Sequence, residues 1–364
     1  MNTDNDQLEP IRNQIDKIDS ELLALLNQRA ECAIEIGKLK ISQDPQEDVS
    51  FYRPERVELV RKRLVQENTG PLRPEHVSAI FNEIMSSCLG LEQKITVAYL
   101  GPQGTFSEAA VLKQFGNAIG TEPVLSIDEV FRAVESGSAN FGVVPVENSS
   151  EGVVNATLNS LADEEIRICG ESYLTIHHQL ASARRFKLAD AQIVASHPQA
   201  LGQCSKWLDA NLPNVNREIT SSTAEAAKLS KNQPKTLCIV SSMAIHKYKL
   251  HSYQKNIEDF SGNNTRFLII GNIEIEQTKK DKTSFLIQTD NQPGALIKIL
   301  EPFKKGKINL ERIETRPSRE SLNAHNFFID SSGHYKDAKL KQVIVSLKKL
   351  GASVRILGSY PSDS

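Results

Sequence analysis

Ile95-Thr96-Val97-Ala98-Tyr99-Leu100, followed by Gly101-Pro102-Gln103-Gly104-Thr105-Phe106-Ser107, is where the fold is decided. The first part is a short apolar run with β-branched and aromatic members, which suits a buried strand. Gly-Pro-Gln-Gly then punctuates the chain before a helix. Upstream of Lys94 the apolar period is helical. Downstream, strands and helices alternate.

Working back from Lys94, Ile11, Ile15, Ile18, Leu22, Leu25, Leu26, Ala33 and Ile36 recur at spacings of three and four. They predict one long helix over 11–41. Pro54 stands at a first-turn position of a second helix reaching residue 66, and Pro74 opens a third to about residue 93. Val77, Ile80, Phe81, Ile84, Met85, Cys88 and Leu91 form the apolar side of the third. Residues 1–93 therefore read as all-helical and too elongated to bury their own faces, which favours an intertwined dimer.

Working forward, strands are expected at 141–146, 193–196, 237–241 and 267–271, with helices at 200–210 and 223–229. Residues 94–275 thus read as an α/β domain, in which ligands bind beyond the strand ends. Glu276 to Asp281 is a polar linker. Beyond it the order is strand 284–289, helix 294–304, strand 308–316, strand 326–330, helix 338–350 and strand 354–360. That βαββαβ order over 282–361 is ferredoxin-like.

The 364 residues carry 43 Lys+Arg against 45 Asp+Glu, a net charge of −2. So even a balance argues against attachment to nucleic acid or an anionic membrane by bulk charge. With 39% hydrophobic residues the chain is too apolar to be disordered. No run of 18 apolar residues is present, and the acidic start lacks the pattern of a signal peptide. Five cysteines at wide intervals fit neither a disulfide framework nor a metal site. Reduced thiols in a cytoplasmic protein are the expectation. His177, His178 and His197 lack ligand spacing, so no metal is expected.

Arg29 and Lys40 differ by roughly 20° around a helix axis and share the apolar stripe with Ala33 and Ile36. They either snorkel, or pair with a carboxylate across a helix seam, or line an anion pocket. Arg12 lies on another face, from which it can reach a neighbouring subunit's site. Phe81, Met85, Cys88 and Glu92 share a face of the third helix, which brings a carboxyl onto its apolar side. In the α/β region, Gly101–Ser107, Glu147–Gly152, Ser196–Gln199 and Thr265–Phe267 put hydroxyl and amide groups at strand ends. Such loops suit a small carboxylated ligand, and ordinary turn chemistry uses the same residues.

These phrases carry a family resemblance. GPQGTFS from Gly101, VVPVENSSEG from Val143, SHPQALGQC from Ser196 and NNTRF from Asn263 are similar to prephenate dehydratase motifs. PGAL from Pro293 and ETRPS from Glu314 resemble the phenylalanine-binding motifs of ACT domains. Arg12, the Arg29–Lys40 stripe, Arg56 and FNEIMSSCLGLEQ from Phe81 are similar to all-helical chorismate mutases. From about Leu8 to Ser362 the chain resembles the bifunctional P-protein family, chorismate mutase fused to prephenate dehydratase with a C-terminal ACT domain.

The resemblance implies three domains: an all-α mutase over 1–93, a two-lobed α/β dehydratase over 94–275 like periplasmic binding proteins, and an α+β ACT domain over 282–361. It implies an isomerase and a carbon–oxygen lyase of phenylalanine biosynthesis, with no cofactor. Chorismate and prephenate are the implied substrates, L-phenylalanine the inhibitor, and a homodimer or higher homo-oligomer the assembly. For the mutase it implies substrate contacts from Arg12, Arg29, Arg56 and Cys88, with Lys40 and Glu92 at the ether oxygen. Many relatives carry Gln where Glu92 stands and Glu where Val57 stands. For the dehydratase it implies Thr265, Glu147, Asn148, Ser196 and Gln203 as catalytic positions, with Thr105 and Ser149 lining the cleft. For the effector it implies Gly294, Ala295, Leu296, Glu314, Thr315, Arg316 and Pro317. Two rivals are a non-enzymatic amino-acid sensor and a dehydratase whose mutase domain has degenerated.

Overall fold

The computed structural model describes residues 3–43, 52–318 and 324–363, the side chains of 3–7, 41 and 43 aside. They form two compact units, one from Met1–Arg53, Val60–Ile95 and Phe115–Gly120, the other from Pro54–Leu59, Thr96–Gln114 and Thr121–Ser364.

Three helices, α1 (Thr3–Gln43), α2 (Pro54–Glu67) and α3 (Pro74–Glu92), make up the N-terminal region, and α2 contributes to both units. Pro54 and Pro74 each open their helix at its first turn, where a missing N–H costs nothing. α1 begins at Thr3 rather than Ile11 and passes through Pro10. Its length is on the order of 60 Å. In the first unit α1 packs on α3 along the Arg29–Lys40 segment, where Gly37 lies against Glu92. Ile11, Ile15, Ile18, Leu22 and Leu25 remain 47–60% exposed, an apolar stripe that none of the described residues covers.

The second unit runs β1 (Thr96–Leu100), α4 (Phe106–Phe115), β2 (Gly120–Val124), α5 (Ile127–Glu135), β3 (Phe141–Asn148), β4 (Gly152–Val153), α6 (Asn155–Asp163), β5 (Arg167–Thr175) and β6 (Gln179–Ser182). It continues β7 (Ile193–Ser196), α7 (Pro198–Gln203), α8 (Ser205–Asn211), β8 (Asn216–Ile219), α9 (Thr223–Asn232), β9 (Thr236–Val240), α10 (Ser242–Tyr248), β10 (His251–Lys255) and β11 (Asn264–Gly271). The helix expected over 200–210 is two helices, broken at Cys204. One sheet has the order β2-β1-β3-β11-β5, and a second has β10-β6-β9-β7-β8. The chain leaves the first sheet after β5 and returns to it at β11, so two lobes are joined by two crossings.

The remainder is β12 (Asp281–Asp290), α11 (Ala295–Gly306), β13 (Leu310–Pro317), β14 (Ala324–Ser332), α12 (Ala338–Lys349) and β15 (Ser353–Pro361). Its sheet, β13-β14-β12-β15, is antiparallel throughout, the order a ferredoxin-like βαββαβ unit requires. The linker expected at 276–281 ends inside β12, because Asp281 and Lys282 are buried polar strand residues. Phe328, Leu357 and Tyr360 of this sheet complete the apolar core of the first lobe with Val144, Ile168 and Leu268. The first lobe and the C-terminal sheet share that core, which is why Thr96–Gln114 and Thr121–Ser364 fall in one compact unit.

Gly294 takes φ +81° ahead of α11, with nothing within 4 Å of where a Cβ would stand. The backbone itself requires glycine there. Gly358 is different: a Cβ on it would lie 2.1 Å from the Ile168 carbonyl oxygen, so β15 rests directly on β5. We expect Gly358→Ala to destabilise the second unit by about 2–3 kcal/mol through this overpacking. An unshifted thermal melt would show that β15 lifts off β5 at no cost.

Candidate active sites

A cavity of about 330 Å³ opens between the two lobes. Thr265 and Asn148 line it from adjacent strands, as partners in the β3–β11 ladder. Asn148 Oδ1 accepts the backbone N–H groups of Ser150 at 2.9 Å and Glu151 at 3.2 Å. With its oxygen so engaged, its Nδ2 turns to donate to Thr265 Oγ1 at 2.7 Å. The Thr265 oxygen accepts, and its own hydroxyl hydrogen is left to point at a ligand.

Opposite, His178 Nε2 and Gln203 Oε1 are 2.8 Å apart. That contact makes Nε2 the protonated nitrogen and leaves Nδ1 an acceptor. His178 Nδ1, Gln203 Nε2 and Asn263 Nδ2 are all buried without a protein partner, and all three residues line the cavity. Burial holds the His178 imidazole below the ordinary histidine pKa, partly offset by the Gln203 contact and by Glu258. The N-terminal ends of α4 (Thr105, Phe106, Ser107) and α9 (Ser221, Ser222, Thr223) also open onto this space. Glu151 carries a carboxylate at its wall, and none of the lining residues is Lys or Arg. The cavity therefore offers neutral donors and helix ends to an anion, without a countercharge.

Of the expected dehydratase positions, Thr265, Asn148, Gln203 and Thr105 are brought together here. Ser196 is not: it is fully buried and donates to the Ile239 carbonyl at 2.8 Å, tying β7 to β9. Glu147 is not either, because strand alternation turns it away from Asn148, to Arg312 at 2.9 Å. Ser149 stands outside the lining and braces it, donating to Asn263 Oδ1 at 3.2 Å, so that Asn263 Nδ2 is the free end. His178 and Asn263 were not singled out as site residues. Asn263 sits inside the NNTRF phrase, whereas the His177-His178 pair carries no spacing signal. His197 caps α7, accepting the Gln199 N–H at 3.3 Å. Among the described residues no group of three His, Cys, Asp or Glu is placed to hold a metal ion.

The helical unit holds a second, cationic constellation. Arg29 Nη1 donates to Cys88 Sγ at 2.7 Å, and Lys40 Nζ lies 3.9 Å from Glu92 Oε2. Burial raises the Glu92 carboxyl above its ordinary value, against the opposing pull of Lys40 and Arg29. Arg12 is exposed and, at 1.5 Å per residue, roughly 25 Å along α1 from Arg29, out of reach of this group. Arg56 is exposed on α2. In the C-terminal region Ala295 and Leu296 open α11 after Gly294, while Glu314, Thr315, Arg316 and Pro317 lie on the edge strand β13. No hydrogen bond or ion pair joins those two stretches among the described residues.

Two family models match the chain: chorismate mutase type II over residues 11–93 and prephenate dehydratase over 97–275. A bifunctional chorismate mutase/prephenate dehydratase of Stutzerimonas stutzeri is 48% identical over 357 residues, covering 98% of each chain. One from Pseudomonas aeruginosa is 47% identical over 359 residues, again 98% of each. The crystal structure of a prephenate dehydratase from Arthrobacter aurescens in complex with L-Phe superposes with a TM-score of 0.68 at 33% identity. It covers 74% of this chain and 90% of that one. The fold and the two sites define a two-site protein, one site in a helical unit and one in a two-lobed α/β cleft. The chain belongs to the bifunctional chorismate mutase/prephenate dehydratase family.

The cleft geometry has a titration consequence. We expect the His178 ring, followed by NMR, to titrate below the ordinary value near 6.5, and Gln203→Leu to move it lower still. A midpoint above 6.5 in the parent chain would mean an unrecognised anion beside the ring.

Proposed function

We propose that this chain rearranges chorismate to prephenate in its helical unit and converts prephenate to phenylpyruvate, carbon dioxide and water in the cleft. L-phenylalanine, the end product, restrains the second step at the C-terminal domain, which we read as an ACT domain. The observation that carries this reading is the Asn148–Thr265 pair: a hydroxyl whose oxygen already accepts a bond, at the wall of a cavity with no Lys or Arg in its lining, so that its hydrogen is free to donate there.

Prephenate carries a leaving hydroxyl and a ring carboxylate that departs as carbon dioxide. Electrons of the breaking carbon–carboxylate bond enter the ring, aromatise it and expel the hydroxyl, which takes up one proton and leaves as water. Thr265 holds a proton against that hydroxyl. A cation beside the departing carboxylate would stabilise the ground state, where the charge is localised, more than the transition state, where it is dispersing. Gln203 Nε2, Asn263 Nδ2 and the α4 and α9 ends hold carboxylate oxygens without that penalty. Glu147 and Ser196 act from outside the cavity in this reading.

The rearrangement asks for the opposite field. Negative charge gathers on the ether oxygen as the C–O bond breaks, and Lys40 supplies a countercharge there while Arg29 binds a carboxylate. Glu92 contributes a hydrogen bond as the neutral acid. The exposed α1 stripe and the distance of Arg12 from Arg29 support a homodimer in which Arg12 completes the partner's pocket. Burying such a half-exposed leucine or isoleucine gains on the order of 1 kcal/mol, so a stripe of this length is enough to hold two copies together. Five free cysteines suit the reducing cytoplasm.

Crossed variants test the two-site reading. Thr265→Ala is expected to lower phenylpyruvate formation about 100-fold with chorismate consumption unchanged, and Arg29→Ala to do the reverse. Parallel loss of both activities in either variant would falsify the separation.

Glu92 sets a pH dependence. Its pKa is raised, so the neutral acid persists to higher pH than for an ordinary carboxyl and is lost as pH rises through that raised value. Mutase activity is expected to fall with rising pH and Glu92→Gln to flatten the profile; identical profiles would remove Glu92 from the reaction.

A further inference from the structure

Thr265 and Asn148 share one rung of the β3–β11 ladder, and the next rung pairs Arg266 with Glu147. Successive strand residues face opposite ways, and the two rungs part accordingly. Thr265 and Asn148 line the cleft, while Arg266 and Glu147 turn to the C-terminal sheet. Arg266 meets Asp330 of β14 at 2.6 Å and Glu171 of β5 at 2.8 Å, and donates to the Tyr360 hydroxyl of β15 at 3.1 Å. Lys282 of β12 meets the same Glu171 at 2.8 Å. Glu147 pairs with Arg312 of β13. Further along β13, Arg316 donates to Asn155 Oδ1 at the start of α6, next to the Glu151–Val154 stretch that lines the cleft.

Arg266, Glu171, Lys282 and Asp330 are each no more than 6% exposed. Apolar side chains of similar volume would hold such an interface as well or better, so stability alone does not account for four buried charges. Hydrogen-bonded charges add discreteness: their geometry fits in a few arrangements, where apolar surfaces slide through many. Along β13 exposure alternates, and Arg312, Glu314 and Arg316 fall on its less exposed side. The strand that carries the expected effector residues Glu314–Pro317 thus contacts, by an ion pair at Glu147 and a hydrogen bond at Asn155, the residues directly next to cleft-lining Asn148 and Val154.

We propose that β13 is the lever of the C-terminal domain. Arg312 and Arg316, with the Arg266 cluster, are positioning residues that set the Asn148–Thr265 pair and hence the rate of the chemical step. The inference rests on the dehydratase reading above and adds the route by which an effector would reach it.

The test compares Glu147→Gln, Arg312→Met, their double variant and Arg312→Lys in the full chain, measuring dehydratase kcat and KM, half-inhibition by L-phenylalanine, and melting temperature. We expect kcat to fall about three- to tenfold in each single variant with KM nearly unchanged. The double variant should be no slower than the slower single, because both remove the same pair. Arg312→Lys should recover most of the rate. L-phenylalanine should inhibit the slowed variants more weakly. Unchanged kcat overturns the proposal, as do losses that multiply in the double variant, or a lowered melting temperature with intact kinetics. A loss confined to Glu147→Gln would put that carboxylate on the substrate and overturns it too. If the parent chain itself ignores L-phenylalanine, the effector reading falls, while the kcat comparison still decides whether β13 positions the pair.

Discussion

The antiparallel pairing of β3 with β11 is the constraint on which the second unit depends. It sets Asn148 opposite Thr265 and Glu147 opposite Arg266, two rungs that cannot face the same way. The register shifts between Arg266 and Phe267, an irregularity of the kind that re-aims side chains at a strand end. From that point the ladder runs regularly to Gly271, and its apolar members join the core shared by the first lobe and the C-terminal sheet. Both the cleft without lysine or arginine and the charged interface behind it follow from two residues per strand.

The two candidate sites differ in sign, and the difference suits their chemistry. The helical unit gathers Arg29 and Lys40 around Cys88 and Glu92, a field that favours charge building up on oxygen. The cleft presents amides, a hydroxyl and a neutral imidazole, a field that lets charge leave a carboxylate. Arginine occurs beside the cleft, at Arg266, but strand alternation keeps it on the far side, where burial pulls its pKa down and Tyr360, Asp330 and Glu171 together hold it above the ordinary value. A one-residue slip of β11 would exchange these roles and bring a guanidinium into the cleft.

Much of this was legible in the sequence, and the gaps have physical causes. The long helical period of α1, the Pro54 and Pro74 starts, and the apolar runs of β1, β3, β7 and β9 depend on local patterning, which a sequence displays directly. β5 and β6 escaped because Glu171 and Gln179 are buried polar residues that interrupt the apolar pattern. β8 and β10 escaped because they are sheet edges with mostly exposed, polar residues. Asp281 read as linker because it is polar and its side chain bonds locally to Thr278, whereas Lys282 fell short of the expected strand because its partner Glu171 lies 111 residues away. In the cleft, Thr265, Asn148, Gln203 and Thr105 announced themselves within recognisable phrases. Ser196 and Glu147 belong to the same phrases, yet which neighbour faces the cleft is decided by the pleat. His178 was missed because Gln203, the group that fixes its tautomer, lies 25 residues away and is brought near by the packing of the second lobe.

The buried charges also bear on how the chain is made. Arg266 and Glu171 come from the strands synthesised first, Lys282 and Asp330 from those that follow, so each side brings one cation and one anion. On a growing chain the earlier pair can neutralise itself as soon as β11 is laid against β5, 64 residues before Asp330 emerges. The later strands add to this contact without replacing it: Arg266 keeps Glu171 and gains Asp330, and Glu171 gains Lys282.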